Sequence, residues 1–181
     1  MLIQIANLIL QVLVSVVAGA CLLRCYLQWL AFNLGTGQNK TIGSFILPLS
    51  NWIVIPLRRV IPSMGRFDVA SFVAAYLVTL GKIAVLLWIS GVVLPDLSWL
   101  ALAFFDLLDL ILSGLVGIVF ASVILSWVSA GSQVQYLVSL LVDPLLKPIR
   151  KAVPNLGALD ISPLVLLLIL QVLQIVVNNL K

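Results

Sequence analysis

The segment Pro56-Leu-Arg-Arg-Val-Ile-Pro-Ser-Met-Gly-Arg-Phe-Asp68 returns 92 residues later as Pro148-Ile-Arg-Lys-Ala-Val-Pro-Asn-Leu-Gly-Ala-Leu-Asp160. Extended by one residue to 56–69 and 148–161, the two windows share five of 14 positions. Unrelated sequences of ordinary composition would share about one. The apolar runs before them align as well: Ser15, Gly19, Leu27 and Trp29 match Ser113, Gly117, Leu125 and Trp127. The chain therefore reads as an internal duplication, with repeats at 1–95 and 96–181.

What surrounds the motif decides the fold class. Of the 181 residues, 63% are hydrophobic and 9% charged, where a water-soluble domain carries about 25% charged residues. Such a chain cannot cover a surface facing water. Apolar runs at about 5–30, 69–94, 103–128 and 161–180 each approach or exceed the roughly 20 residues that cross a bilayer core. The first is read as a retained span and not a cleaved signal, because no basic region precedes it. The expected fold is an all-α membrane protein with four transmembrane helices. They form two parallel helical-hairpin repeats related by an axis along the membrane normal, with small residues such as Gly19, Gly114, Gly117 and Ala121 allowing close helix approach.

Two apolar stretches, 44–57 and 136–149, are left over. They are too short to span and are interrupted by Pro48 and Pro56, or by Pro144 and Pro148. They are read as short interfacial amphipathic segments, with a re-entrant loop as the alternative. Seven Lys or Arg lie in the two long loops that hold these stretches, against only Lys181 on the other side. The positive-inside rule then makes both long loops cytoplasmic and both termini external.

Within the motif, Pro56, Pro62, Pro148 and Pro154 read as helix stops and Gly65 and Gly157 as turns. Asp68 and Asp160 read as caps at the positive ends of the following spans, with Ser162 and Pro163 as an alternative start for the last one. A turn could bring Arg58 to Asp68 and Arg150 to Asp160. Arg58, Arg59, Arg150 and Lys151 are the candidates for docking anionic lipid headgroups or a protein partner; a charge near an anionic leaflet contributes on the order of 1 kcal/mol. A purely topological role is the simpler reading of the same residues.

Ionisable groups inside spans are costly and mark functional candidates. They are Lys82, Asp106 and Asp109, with Lys82–Asp109 the expected pair. Arg24 is expected to snorkel to the interface, Gln171 and Gln174 to bond across helices, and Cys21 and Cys25 to be buried free thiols. The chain has no His and no Glu, so the common acid–base and metal-ligand sets are missing. No catalytic residue, cofactor or metal site is expected, and the positive charges, lying between spans, do not suggest direct nucleic-acid binding.

At these residues the chain resembles the YggT family of bacterial membrane proteins, called YlmG in Gram-positive bacteria, cyanobacteria and plastids. The motifs are Pro56-Leu-Arg-Arg-Val-Ile-Pro62 with Gly65 and Asp68, Asp143-Pro-Leu-Leu-Lys-Pro-Ile-Arg150 with Pro154, Gly157 and Asp160-Ile-Ser-Pro163, and Ser126-Trp127. The resemblance covers nearly the whole chain as two tandem domains. It implies an inner-membrane or thylakoid protein without a settled activity; with the charge bias above, the expectation is a multi-pass bacterial inner-membrane protein with periplasmic termini. It also implies a link to cell division, to osmotic or ionic stress tolerance, or to membrane-protein assembly. It implies no agreed catalytic residues. Two functional expectations follow: a non-enzymatic protein docking lipid or a partner through its basic segments, or a small ion or solute channel, alone or as a homo-oligomer, using the intramembrane Lys/Asp pair at the pseudo-two-fold interface.

Overall fold

The computed structural model describes residues 2–30, 40–61, 67–91, 98–129, 131–152 and 160–181. The motif residues Pro62, Gly65, Pro154 and Gly157 lie outside them. Six helices follow in order: α1 (Leu2–Trp29), α2 (Lys40–Val60), α3 (Val69–Ser90), α4 (Ser98–Val128), α5 (Gln133–Ala152) and α6 (Ser162–Asn179). No β-strand occurs among the described residues. Helices α1, α3, α4 and α6 are long and apolar enough to cross a membrane. Their outward side chains are large and apolar, including Leu8, Val12, Phe120 and Leu168. That surface suits lipid, where only internally bonded backbone is tolerated. Exposed tryptophans stand at or near the C-terminal ends of three of these helices, at Trp29, Trp88 and Trp127, as expected at membrane–water boundaries.

Packing divides the chain into two compact units, Met1–Leu110 and Ile111–Lys181. The division falls inside α4, whereas the sequence repeat breaks at 95/96. In the first unit α1 and α3 run antiparallel, and their contact is lined by Ala18, Ala20, Cys21, Cys25, Ala70, Ala74 and Ala75, all 9% exposed or less. Small side chains let two backbones approach closely where lipid supplies no hydrophobic drive. Helix α2 packs on both, burying Ile46, Ser50 and Val54. In the second unit α5 lies on α6. Val142 and Leu146 of α5, Leu166 and Leu170 of α6 and Val119 of α4 form its core.

Two expectations are corrected. The prolines at 48, 56, 144 and 148 do not break helices: they sit inside α2 and α5, which reach 21 and 20 residues. Pro48, Pro56 and Pro148 lie on exposed faces, where a carbonyl deprived of its helical partner can find another donor. The stops come later, at Val60 and Ala152, each two residues before the next proline of the motif. Nor do the glycines make the close approach. A Cβ added to Gly19, Gly114 or Gly117 meets no atom within 4 Å among the described residues; the alanines and cysteines of α1 and α3 do that work instead. Cys21 and Cys25 are buried free thiols.

The α1–α3 contact should tolerate no added volume. Ala74→Leu, at a fully buried position, is expected to destabilise the protein by about 1–3 kcal/mol through overpacking. Ala84→Leu, on the exposed face of the same helix, should be near neutral. Thermal unfolding of the two variants in detergent checks the contrast.

Candidate functional site

The repeated motif closes on itself through its ion pairs. Asp68 is the N-cap of α3: its Oδ1 accepts from the Ser71 N–H at 3.2 Å and its Oδ2 from the Ser71 hydroxyl at 2.7 Å. The Arg58 guanidinium, from the last turn of α2, donates to the same Oδ2 and to Gln28 Oε1 at 3.1 Å. From α1, Arg24 brings its Nε to 3.8 Å from Asp68 Oδ2 and donates through Nη1 to Asn51 Oδ1 at 2.7 Å and Ser50 Oγ at 3.2 Å. One fully buried carboxylate thus ties three helices together. The expected snorkelling of Arg24 is corrected: it is 7% exposed, because its helix face turns toward Ser50, Asn51 and Asp68 rather than toward the boundary.

The second copy repeats the pair in the open. Arg150 Nε donates to Asp160 Oδ2 at 3.0 Å, and Nη1 to Asp143 Oδ1 at 3.1 Å. Asp160 Oδ1 accepts from the Ser162 N–H at 3.0 Å. The expected caps of α6 are corrected: Ile161 is its N-cap, with Asp160 one residue before it and Ser162 its first helical residue, while Pro163 keeps its place in the first turn. The side chains of Arg150, Asp143 and Asp160 are 42%, 40% and 39% exposed, against 0% for Asp68. The copies also differ in charge. By the repeat alignment Ser122 stands where the first copy has Arg24, and Asp143 where it has Asn51. The first copy holds two arginines on one aspartate, the second one arginine between two aspartates.

In both copies burial raises the carboxyl's pKa, but the hydrogen bonds outweigh it. Arg58 and Ser71 hold Asp68 below the ordinary carboxylate value, and Ser162 and Arg150 do the same for Asp160. Of the remaining motif cations, Arg66 lies outside the described residues, and Arg59 and Lys151 are exposed, as is Lys147 one turn before Lys151 on α5. None of the three makes an ion pair among the described residues.

A second polar cluster lies within the spans. Lys82 Nζ is 2.5 Å from Asp106 Oδ2 and 2.5 Å from Gln11 Oε1, with Lys82 and Asp106 only 8% and 11% exposed. The expected Lys82–Asp109 pair is corrected to Lys82–Asp106. Helix α4 turns Ala103 and Leu107 into the packed interior, with Asp106 at the edge of that face. Asp109 lies about 60° further round and about 4.5 Å deeper. Sequence reasoning missed Gln11, although its depth was a usable signal: nine residues from the start of α1, against eight for Lys82 and Asp106 from their helix ends. It also missed Asp143 as a partner of Arg150, two turns away on the same face of α5. Of the two span glutamines, Gln174 donates to Ser113 Oγ at 2.8 Å, while Gln171 is exposed. Among the described residues no three His, Cys, Asp or Glu side chains converge as metal ligands would.

The two ion pairs should differ sharply in weight. Asp68→Asn leaves a buried arginine without its counter-charge and is expected to cost about 3–5 kcal/mol; Asp160→Asn, at an exposed pair, should cost about 1 kcal/mol or less. Asp68 titrates lower in the fold than in the unfolded chain. Its contribution is therefore complete above the unfolded value of 3.8 and is lost as pH falls from there through the depressed folded value. Thermal unfolding from pH 7 to pH 2 should show a descent below pH 3.8 that is much reduced in Asp68→Asn.

The family model described as CCB3/YggT matches this chain twice, at residues 3–89 and 101–180. The uncharacterized protein YggT of Escherichia coli strain K12 is 36% identical over 154 residues, covering 84% of this chain and 78% of that protein. The uncharacterized protein PA0392 of Pseudomonas aeruginosa is 36% identical over 180 residues, covering 95% and 88%. A protein of Vibrio alginolyticus encoded in the proC 3' region, also uncharacterized, is 37% identical over 130 residues, covering 70% of each. No solved structure matches the chain. With two matched segments, each carrying the arginine–aspartate motif, this chain belongs to the CCB3/YggT family and holds the family's domain in tandem.

Proposed function

We propose that this is a non-enzymatic inner-membrane protein that docks anionic lipid headgroups through α2 and α5, laid along the cytoplasmic face. The observation that carries the reading is the division of labour among the motif cations. Arg58 and Arg150 are committed to Asp68 and Asp160, whereas Arg59, Lys147 and Lys151 are exposed without an ion pair among the described residues. Both helices are amphipathic, with Trp52 and Ile55 exposed on α2, a composition suited to the headgroup boundary. The charge bias of the long loops supports cytoplasmic motifs and periplasmic termini. The two tandem domains then act as parallel hairpins presenting the same face. Roles in cell division, osmotic or ionic stress tolerance or membrane-protein assembly rest on the family resemblance.

A purified Arg59→Ala, Lys147→Ala, Lys151→Ala variant tests the reading. Phosphatidylglycerol, compared with phosphatidylcholine, should raise the unfolding temperature of the unaltered protein. It should bind the triple variant more weakly by roughly two orders of magnitude, at about 1 kcal/mol per cation. Equal stabilisation of both proteins would refute lipid docking; loss of cellular function with lipid binding intact would point to a protein partner. A reporter active only in the periplasm, fused after Lys181, should be active.

A second reading, passage of a small ion or solute, is favoured by the Lys82–Asp106–Gln11 cluster inside the spans. On that reading Lys82→Met should abolish ion flux in proteoliposomes, while the triple variant leaves it unchanged.

A further inference from the structure

The Lys82–Asp106 pair sits about 12–14 Å from the ends of its helices, too deep for water to reach along a sealed contact. At that end, however, α1 and α3 part around an open recess of about 280 Å³, lined by Gln4, Asn7, Ile83, Leu86, Leu87 and Ser90. Gln4, Asn7 and Gln11 follow one another at helical spacing on α1: Gln4 and Asn7 line the recess beside Ile83, Leu86 and Leu87, and Gln11, one turn beyond Asn7, holds Lys82. Ile83, the deepest lining residue of α3, is next to Lys82 in the chain. Below the pair the contact closes: Ala18, Cys21, Ala74 and Ala75 are 0% exposed, and Thr79 is 1% exposed with its hydroxyl bonded to the Ala75 carbonyl.

We propose that this recess is a one-sided aqueous inlet, admitting water and small hydrophilic solutes to the Lys82–Asp106 pair from the Ser90 end and stopping them at the packed layer beneath. A lipid chain is the competing occupant. It would leave the carboxamides of Gln4 and Asn7, which make no side-chain hydrogen bond among the described residues, facing hydrocarbon, where each unsatisfied group is costly. Polar groups in spans face water-filled cavities for that reason. The inlet does not depend on the lipid-docking reading, which concerns the opposite ends of α1 and α3.

Substituted cysteines of matched depth test it. In a Cys21→Ala, Cys25→Ala background, Leu86→Cys faces the recess and Val85→Cys faces outward at 39% exposure. Asn7→Cys and Leu8→Cys form a shallower pair of the same kind. A membrane-impermeant hydrophilic methanethiosulfonate reacts with thiolate, which forms only where water reaches. In proteoliposomes Leu86→Cys should react roughly tenfold or more faster than Val85→Cys, Asn7→Cys faster than Leu8→Cys, and Thr79→Cys not at all. Equal rates within the pairs would mean a lipid-filled groove and would overturn the proposal. So would labelling of Thr79→Cys at the rate of Leu86→Cys, which would remove the seal.

Discussion

The buried Asp68 carboxylate is the constraint on which the first unit depends. A carboxylate with no exposed surface is tolerable only if charge and hydrogen bonds surround it. Here the partners come from three helices: Arg24 of α1 as a charge 3.8 Å away, and Arg58 of α2 and Ser71 of α3 as donors. Helix α2 is thereby fixed against two helices long and apolar enough to span. The distance from Arg58 to Asp68 along the chain is then explained. Those ten positions carry the chain from the last turn of α2 to the cap of α3.

The opposite end of the same helix pair solves the problem with different residues. Between the two polar ends lies a layer of alanine, cysteine and threonine small enough for α1 and α3 to pack closely. A single large residue there would separate the helices and loosen both ends at once. The packed layer lies between the two clusters, and no hydrogen bond among the described residues joins them.

Much of this was legible in the sequence, and the failures share a cause. Span positions follow from hydropathy, and all four helices fall within a few residues of the runs read from it. The Arg58–Asp68 and Arg150–Asp160 pairs follow from their equal ten-residue spacing. What escaped was every feature set by which face a helix turns inward. Arg24 looked like an interfacial arginine because nothing local shows that α2 covers it with Ser50 and Asn51. Asp109 looked as good as Asp106 because depth alone separates them poorly; the Ala103–Leu107 face decides. The prolines of α2 and α5 misled for a related reason. Their penalty is real, but it is reduced where the freed carbonyl lies on an exposed face, and tertiary burial of Val54 or Val142 holds the helix together across them.

The unequal charge of the two motif copies bears on how a duplicated domain divides its tasks. In the first copy's network Arg24 and Arg58 face one aspartate, with Arg24 and Asp68 buried, so these two arginines serve the fold and Arg59 is left as the exposed cation. The second copy exchanges Arg24 for Ser122 and Asn51 for Asp143, and its single arginine is shared between two carboxylates at the surface. That pair contributes little to stability and leaves α5 held mainly by Val142, Leu146, Leu166 and Leu170. A helix secured by apolar contacts on one face is free to vary the other, and on that other face α5 carries Lys147 and Lys151 where α2 at the matching positions has Ile55 and Arg59. Burial of the charge network in one copy and its exposure in the other accompany these two differences, and the exposed side of α5 is left with Lys147 and Lys151.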